Sequence, residues 1–527
     1  MWGVWRNDLT PGDGSRYFQD SVLWSAHGKV DLAWSPLYDV FYGTTRKLVG
    51  GDAVTAENLH RALIALGVAL LLLALARRLL PAGPALLVAC WWAVLPINFD
   101  ALYEVHLFAP AFPLAVALLL SDEPGPWRRG WAFALIVLAT LLVRNEFGFV
   151  AVLLGAGLIL VTRGRRGPVA ALAVPLAAVL LFSLAMYSRG VEKDGALRDS
   201  LEGRQQTALC QHFALNYEQR HSEVRLNPFL QCRALMQQTF GQEHPTFLAA
   251  WSDNPKAMAA FTAWHGRLVP NGLQLGLFYG VADHTTPDFA PINLGRPYAG
   301  VLGLVLLTLL VFGGRALWLD RAGWLPELRR QRLAWLAVGA GAAGSLIVGT
   351  FFVRPRPSFI FGLTIGVMLA AGLALAALLR RHRVERAGDL AALLIPLLLL
   401  VFLPVHFKSQ ATPLADAYHR LRPVSDRIEA GRPVALARLA FGDDVCFYVA
   451  PNRPCRVVDY QGAIAPQLGR VGLARALDRA GAGVFYANPS LAASKPVASF
   501  IRRPGGGWTV ARSGVDERGR WAVLVRG

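Results

Sequence analysis

A polar stretch close to the start of the sequence, "GDGSRYFQD" at 12–20, carries two carboxylates, an arginine and a tyrosine. On helical spacing, four of its side chains lie on one face: Asp13, Arg16, Tyr17 and Asp20. A carboxylate on such a face can act as a general base and take a proton from a hydroxyl group within hydrogen-bond reach. Asp13 also follows "TPG", a position that suits a helix N-cap. The residues alone leave both roles open for Asp13.

Three arginines stand at the ends of apolar runs, where they could neutralise a phosphate group at a membrane surface. Arg354 and Arg356 lie in "FVRPRPS", and the guanidinium fork suits phosphate oxygens. Arg144 lies in "LVRNEF", two residues before Glu146. For Arg354 and Arg356 the alternative is non-specific binding of lipid head groups. For Arg144 and Glu146 it is an internal ion pair that holds two helix ends together.

Other polar residues beside apolar runs are weaker candidates for substrate binding. Glu104 and His106 lie in "LYEVHLF", where the alternative is an interfacial pair that sets a helix end. His406 and Lys408 follow another apolar run and could reach a phosphate, although snorkelling anchors look the same in sequence.

The remaining histidines of the middle segment are too scattered to predict a metal site. The sequence contains no HExxH or CxxC motif. We therefore expect surface or buried structural roles for four of them: His212, His221, His244 and His265.

The composition indicates a multi-pass membrane protein. Hydrophobic residues make up 54% of the 527 residues and charged residues only 17%. Apolar runs near the roughly 20 residues needed to cross a bilayer recur along the chain. They predict ten spans, near 59–79, 83–97, 105–121, 130–143, 147–162, 168–187, 298–318, 333–353, 358–379 and 390–406.

Basic residues orient these spans, because short cytoplasmic loops retain Arg and Lys. The basic clusters all fall on one side: 77–78, 128–129, 163–166, 328–332 and 380–386. The net charge of +18 therefore reflects membrane topology and does not favour nucleic-acid binding. The same count predicts five regions: an outer loop with the candidate helix at 1–58, spans at 59–187, an outer helical segment at 188–297, spans at 298–406 and an outer domain at 407–527.

The outer regions each hold an even number of cysteines. Cys210 and Cys232 share the middle segment, and Cys446 and Cys455 share the tail, whereas Cys90 lies in a span. Outside the cytoplasm such pairs can persist as disulfides. Two buried thiols in each region are the alternative.

Local patterns distinguish the middle segment from the tail. The segment 188–297 has helix-forming composition, with plausible helix starts at Asn227 and Asn254. The tail alternates the helical "RVGLARALDRAG" with short runs of strand-like composition, which predicts a small α/β domain. These runs are "RPVALARLA", "DVCFYVA", "CRVVDY", "AGVFYA", "VASFIRR" and "RWAVLVR".

Several motifs occur in an order that resembles a known family. "DGSRY" is followed by "WSPLYDVFYG", then by "LVRNEFGF" at the end of a span and later by "RPRPSFIFG". Together they resemble the polytopic GT-C superfamily of glycosyltransferases, which use polyprenyl-phosphate sugars. "DGSRY" is similar to the D-E-x-R-Y motif of lipid A aminoarabinose transferases, and protein mannosyltransferase-like members are also similar. The resemblance covers residues 1 to about 406 and implies that a first span precedes residue 1.

The resemblance implies an inverting transfer of a sugar from a polyprenyl-phosphate donor to a lipid, glycan or protein hydroxyl. Asp13 matches the catalytic aspartate of the first outer loop, while Gly14 stands in place of the second acid, for which Asp20 could substitute. Metal-dependent members bind a divalent cation with a pair of acids, so we favour metal-independent transfer without a cofactor, with a divalent cation as the alternative.

The resemblance also implies a location in a bacterial inner membrane with large periplasmic or extracellular segments. A transporter or flippase of lipid-linked glycans and a catalytically inactive assembly protein are the competing functions. The paired repeats and broken helices typical of transporters are not evident in the sequence.

Overall fold

The computed structural model describes residues 9, 12–95, 104–161, 168–191, 197–221, 227–228, 231–278, 297–383, 394, 414–437, 442–451 and 456–527. It confirms the predicted fold class, a largely helical chain with a small C-terminal α/β domain. The chain divides into two compact units. Of the described residues, the larger unit contains 31–38 and those between 61 and 394, and the smaller unit contains those between 9 and 30, 39–60 and those from 414 to 527.

Apolar helices dominate the first two thirds of the chain. In lipid, a helix satisfies its own backbone hydrogen bonds, which is why Leu-, Ala- and Val-rich runs adopt this structure. The helices as far as the first strand of the C-terminal domain are Asp13–His27, Pro36–Leu48, Ala53–Leu79, Ala82–Val94, Glu104–Phe108, Ala111–Leu119, Pro126–Leu142, Phe147–Val161, Ala170–Tyr187, Leu197–Arg220, Cys232–Phe240, Phe247–Asp253, Pro255–Phe278, Pro297–Leu319, Arg321–Arg330, Arg332–Ile347, the π-helical turn Val348–Phe352, Pro357–Arg381, Leu414–Leu421, the 3₁₀ turn Arg422–Val424 and Ser425–Glu429. Two short strands also occur, β1 (Val30–Asp31) and β2 (Gly190–Val191).

Five helices in the described part of the chain are long and apolar enough to cross a membrane: Ala53–Leu79, Ala170–Tyr187, Ala299–Leu319, Arg332–Phe352 and Pro357–Arg381. The predicted spans between 59 and 379 all coincide with helices, although several of these helices are shorter than a full span. The last predicted span, 390–406, lies outside the described residues apart from position 394. The helices support the predicted multi-pass membrane protein.

Small residues let helices of the larger unit approach closely, as is common in membrane proteins. A Cβ added at Gly130 would overlap the carbonyl oxygen of Ala171, and one added at Gly313 would overlap Ala374. The helix Pro126–Leu142 therefore packs directly against the backbone of Ala170–Tyr187.

The middle segment is helical, as predicted. A disulfide joins Cys210 to Cys232, which confirms the first predicted pair. Around it, Phe213, Met236 and Phe261 form a buried core. The second predicted pair includes Cys455, which lies outside the described residues.

The helix Asp13–His27 of the smaller unit begins and ends close to where the sequence predicts. It ends at Gly28, which adopts the left-handed conformation of a C-cap. Gly12, and not Asp13, is the N-cap residue, and Asp13 occupies the first turn. A Cβ added at Gly43 would overlap the Ser21 carbonyl oxygen, so the helix Pro36–Leu48 packs closely against this one.

The C-terminal domain contains a five-stranded mixed sheet in the order β4-β3-β5-β7-β6. Strands β3 and β5 pair in parallel, β3 pairs in parallel with β4, and β7 pairs antiparallel with β5 and β6. The strands are β3 (Val434–Leu436), β4 (Val457–Asp459), β5 (Val484–Ala487), β6 (Trp508–Asp516) and β7 (Gly519–Arg526). The helices and turns among them are Gly442–Val449, Tyr460–Ile464, Ala465–Gln467, Leu468–Val471, Leu473–Arg479, Pro489–Ala492 and Lys495–Arg502.

Two of the predicted strand-like runs are wrong. "DVCFYVA" lies largely in the helix Gly442–Val449, and "VASFIRR" lies largely in the helix Lys495–Arg502. In the second run Val497, Phe500 and Ile501 are buried, and this spacing of three and four residues is that of a helix face. Strand β6 was not predicted, because seven of its nine residues are exposed and it lacks an apolar run.

Candidate functional site

Two prolines position the arginines of the candidate phosphate site. The helix Arg332–Ile347 continues into the π-helical turn Val348–Phe352, and the next helix begins with Pro357 at its first position. Between these two helices, Arg354 is buried. Arg356 has an extended backbone and is the N-cap residue of the helix that begins at Pro357. A Cβ added at Gly272 would overlap the carbonyl oxygen of Pro355, so the helix Pro255–Phe278 packs directly against this segment.

Phe359 brings two of the predicted arginines together. The guanidinium carbon of Arg144 lies 4.7 Å from the centre of the Phe359 ring, and that of Arg356 lies 4.6 Å from it. Both distances are in the range of cation–π contacts. We refer to Arg144, Arg354, Arg356 and Phe359 as the guanidinium cluster.

Two histidine rings also face Phe359. The ring of His106 lies 5.9 Å from the Phe359 ring between centres, and that of His212 lies 6.1 Å from it. His106 was a predicted site residue, whereas Phe359 and His212 were not predicted to contribute. The sequence could have indicated Phe359 through its position at the start of a helix, three residues after Arg356.

Arg144 also forms the ion pair that the sequence left as an alternative. Its Nη2 lies 2.7 Å from Glu146 Oε1, and its Nε donates to Glu146 Oε2 at 3.3 Å. Arg144 is therefore oriented by a carboxylate on one side and an aromatic ring on the other. This arrangement is compatible with either a structural or a binding role.

A pocket opens beside the guanidinium cluster and has about 520 Å³ of empty volume, part of it open to solvent. Arg144, Glu146, Ser345 and Ser358 are its polar lining residues, and Phe359 lies beside them. Its apolar lining includes Phe147, Val150, Val348 and Phe361.

Two of the residues that line this pocket, Gly341 and Gly362, allow their helices to pack closely. A Cβ added at Gly362 would overlap the carbonyl oxygen of Gly341, so the helices that carry these residues cross in direct backbone contact. Ser358 also lines the pocket, is buried, and has no hydrogen-bond partner for its Oγ among the described residues. A buried hydroxyl of this kind can bond to a ligand.

Glu104, another predicted site residue, is engaged by an arginine that the sequence did not single out. Arg61 donates to Glu104 Oε1 from Nε at 2.9 Å and from Nη2 at 2.6 Å. The two side chains are 1% and 3% exposed. The Glu104 carboxylate is therefore held in a buried ion pair with Arg61, and its predicted role in substrate binding stays a prediction.

The charge of Arg354 acts on two histidines of the middle segment, His265, which is buried, and His212, which is partly exposed. Burial lowers the pKa of His212 well below its ordinary value, and the charges of Arg354 and Arg356 lower it further. Burial lowers the pKa of His265 to about 3, with Arg354 as the next cause. Both rings are therefore neutral near pH 7. The sequence prediction of surface or buried structural roles for these histidines stays a prediction.

The smaller unit contains the candidate general base. Of the four residues predicted to share a helix face, Tyr17 and Asp20 are buried, and Asp13 and Arg16 are partly exposed. Partial exposure leaves the Asp13 carboxylate accessible to an acceptor. Full burial of Asp20 makes it less accessible as a substitute.

The same helix packs on a buried polar network that the sequence did not predict. Phe18 contacts the rings of Tyr42 and Tyr448 at 6.0 and 4.9 Å between centres. Both tyrosine hydroxyls lie 3.2 Å from Glu57 Oε2, and His60 stacks on Tyr42. The network holds the helix Asp13–His27 in a fixed position within the smaller unit.

Two further predictions concern Lys408 and metal binding. Lys408 lies outside the described residues, as does His406. Among the residues that the structure describes, no group of three or more His, Cys, Asp or Glu side chains is placed to hold a metal ion.

No protein-family model matches the chain, and a search of the curated proteins finds no match. Among solved structures, the chain is similar to ArnT from Cupriavidus metallidurans bound to undecaprenyl phosphate, with 14% identity, a TM-score of 0.37, and coverage of 99% of this chain and 95% of that one. It is similar to the apo state of ArnT from the same organism, with 13% identity, a TM-score of 0.35, and coverage of 99% and 94%. It is also similar to the Archaeoglobus fulgidus oligosaccharyltransferase in complex with Zn and sulfate, with 12% identity, a TM-score of 0.39, and coverage of 92% and 64%.

Proposed function

We propose that the chain is a membrane-embedded, inverting glycosyltransferase that moves a sugar from a polyprenyl-phosphate donor to a lipid, glycan or protein hydroxyl. The observation that carries this proposal is the position of Arg144 and Arg356 over Phe359, beside an apolar pocket. A polyprenyl phosphate has the same two parts, an anionic head and an apolar chain. The guanidinium cluster suits the phosphate.

The pocket suits the first part of the polyprenyl chain. Its walls are mainly apolar, with Phe147, Val150 and Phe361 among them. Burying an isoprene unit there removes apolar surface from water, at about 25 cal/mol for each Å². Ser358 Oγ adds a hydrogen-bonding group inside the pocket.

The disulfide supports a site on the outer face of a bacterial inner membrane. Disulfides persist outside the reducing cytoplasm, and Cys210–Cys232 lies in the middle segment. His212, two residues after Cys210, faces Phe359 of the guanidinium cluster. The cluster and the disulfide therefore belong to the same side.

In the proposed reaction, Asp13 takes the proton of the acceptor hydroxyl. The acceptor oxygen attacks the anomeric carbon from the side opposite the phosphate, and the bond between that carbon and the phosphate oxygen breaks. Its electron pair stays on the phosphate, and the configuration at the anomeric carbon inverts. Arg354 and Arg356, with Arg144, stabilise the charge that develops on the leaving phosphate. The reaction needs no metal in this proposal.

Sugar transfer by the purified full-length chain tests this proposal. A panel of radiolabelled polyprenyl-phosphate sugars is offered with hydroxyl acceptors in detergent, and transferred or released sugar is counted. We expect activity with at least one donor, and a KM for that donor raised about tenfold or more by Arg356→Ala, since a charge-assisted bond contributes about 1.5–3 kcal/mol. Arg233→Ala, an exposed arginine of the middle segment, is the matched control. Movement of intact donor across vesicles without sugar release would instead support a transporter.

A further inference from the structure

A second pocket lies in the C-terminal domain. It is lined by residues of 468–473 and 496–503 and has about 1350 Å³ of empty volume, part of it open to solvent. Its apolar lining residues are Leu468, Leu473, Pro496 and Phe500. A Cβ added at Gly469 or Gly472, which also line the pocket, would meet no atom within 4 Å. The pocket therefore has room for a ligand with an apolar part.

Two arginines give this pocket a cationic side. The helix Lys495–Arg502 buries one face in the core of the domain. Its other face is exposed, and Arg502 and Arg503 follow Ser499 there by three and four residues. All three line the pocket, and none of the described residues that line it is acidic. The exposed face of this helix is therefore polar and positively charged.

The two arginines differ from others of the smaller unit in having no carboxylate partner. Neither the Arg502 nor the Arg503 side chain makes a hydrogen bond or an ion pair with the residues that the structure describes. Other arginines of the unit are paired, as in Arg420–Asp516, Arg422–Asp52 and Arg526–Asp478.

The acidic side chain of the surrounding segment is already engaged. The segment 468–503 carries six cationic residues and one acidic residue, Asp478. Its carboxylate pairs with Arg526 and accepts a hydrogen bond from the Trp508 ring nitrogen. Two neighbouring guanidinium groups without a carboxylate favour an anionic ligand.

We propose that this pocket binds a lipid with an anionic phosphate head group. The guanidinium groups of Arg502 and Arg503 hold the phosphate oxygens, and the first part of the acyl chains lies over Leu473 and Phe500. Lipids of this kind surround a multi-pass membrane protein. The pocket shares no lining residue with the one beside the guanidinium cluster, so lipid binding here does not depend on the proposed sugar transfer.

The apolar lining favours a lipid over a free anion. Inorganic phosphate would use the two arginines and leave the apolar surface in water, whereas an acyl chain covers that surface. Each arginine close to an anionic lipid improves its affinity about fivefold, so the two together contribute about 30-fold. Because the arginines are exposed, added salt should weaken the binding.

Hydrogen exchange followed by mass spectrometry measures binding at this pocket separately from lipid bound elsewhere on the chain. The full-length chain in a neutral maltoside detergent is titrated with dioctanoyl phosphatidylglycerol, which is anionic, or with dioctanoyl phosphatidylcholine, which has no net charge. With phosphatidylglycerol at ten times its Kd, we expect exchange in 468–473 and 495–503 to slow about tenfold, because the lipid binds only the native pocket. Phosphatidylcholine and inorganic phosphate should have little effect.

Three variants locate the effect. Arg502→Ser with Arg503→Ser should raise the Kd for phosphatidylglycerol about 30-fold. Gly469→Trp should abolish protection, because its side chain fills a space that is open above the glycine. Arg456→Ser with Arg520→Ser is the matched control, since it removes the same charge from exposed positions of the domain that do not line the pocket.

Protection by phosphatidylglycerol that is lost in the Arg502 and Arg503 variant, and kept in the control, would support the proposal. Equal protection by the two lipids, or an unchanged Kd in the Arg502 and Arg503 variant, would overturn it. An equal loss in the control would assign the effect to net charge, and equal protection by inorganic phosphate would assign the pocket to a soluble anion; both results reject the lipid site. If Gly469→Trp does not fold, the arginine variant decides, because it changes only exposed side chains.

Discussion

Arg144 and Arg356 lie over the same aromatic ring, although 212 positions separate them in the sequence. Their guanidinium carbons are 4.7 and 4.6 Å from the centre of Phe359. Two cations that share one ring repel each other, and the quadrupole of the ring offsets part of that repulsion. The ion pair of Arg144 with Glu146 offsets another part, and in the proposed function a phosphate bound beside the ring would add to it.

Replacement of Phe359 by Leu should weaken donor binding and leave the chemical step largely intact. Each cation–π contact contributes about 0.5–2 kcal/mol, so the loss of two should raise the donor KM by about 5-fold at least and by up to roughly 1000-fold. Steady-state kinetics with the active donor measures this effect. Phe359→Tyr keeps the ring and should restore most of the affinity, and Phe351→Leu, at an exposed ring nearby, is the control. An unchanged KM in Phe359→Leu would show that the ring does not position the arginines.

Arg61 and Glu104 should behave as a structural pair. Glu104→Ala removes a carboxylate that is bonded to the buried Arg61 charge, which should destabilise the protein by about 3–5 kcal/mol. The double substitution Arg61→Leu with Glu104→Leu removes both charges and should recover most of that stability. Thermal unfolding in detergent compares the variants. A fully stable Glu104→Ala that lacks donor binding would instead assign the carboxylate to substrate.

The membrane helices could be predicted because their signal is local. A run of about 20 apolar residues must hydrogen-bond within itself in lipid, whatever it packs against. The C-terminal domain was harder, since seven-residue runs rich in apolar residues suit either a buried strand or a helix face. "VASFIRR" forms a helix because Val497, Phe500 and Ile501 all pack into the core of this domain.

The candidate site was only partly predictable, because local patterns do not show which distant residues pack together. Arg144 and Arg356 could be singled out, because phosphate chemistry requires guanidinium groups and both stand at the ends of apolar runs. Phe359 and His212 could not, because their contribution depends on which residues pack against them. Gly272 is a similar case, since it lets the helix Pro255–Phe278 contact the backbone of Pro355. No local pattern reveals such a contact between distant segments.

Asp13→Asn should reduce turnover with little effect on stability. Gly12 is the N-cap, so Asp13 is not needed for that role, and Asn keeps the size of the side chain while it removes the proton acceptor. We expect a fall in kcat of about 10²–10⁴-fold. Asp426→Asn, at another acidic first-turn position in the smaller unit, controls for the loss of a helix-dipole interaction. A folded Asp13→Asn enzyme with wild-type kcat would eliminate Asp13 as the base, and Glu104 and Asp20 would be tested next.

His265 should make the stability of the unliganded protein depend on pH. Its pKa in the folded state, about 3, is below the unfolded value of about 6.5, so the unfolded chain binds more protons between these limits. Stability should therefore be complete above about pH 6.5 and fall with decreasing pH, by up to about 1.4 kcal/mol for each pH unit. Thermal unfolding of ligand-free protein between pH 4.5 and 7.5 measures this slope. The stability of His265→Asn should be less sensitive to acid than that of the wild type, whereas the stability of His244→Asn should depend on pH as in the wild type. If His265→Asn and the wild type show the same slope of stability against pH, His265 titrates normally in the folded protein.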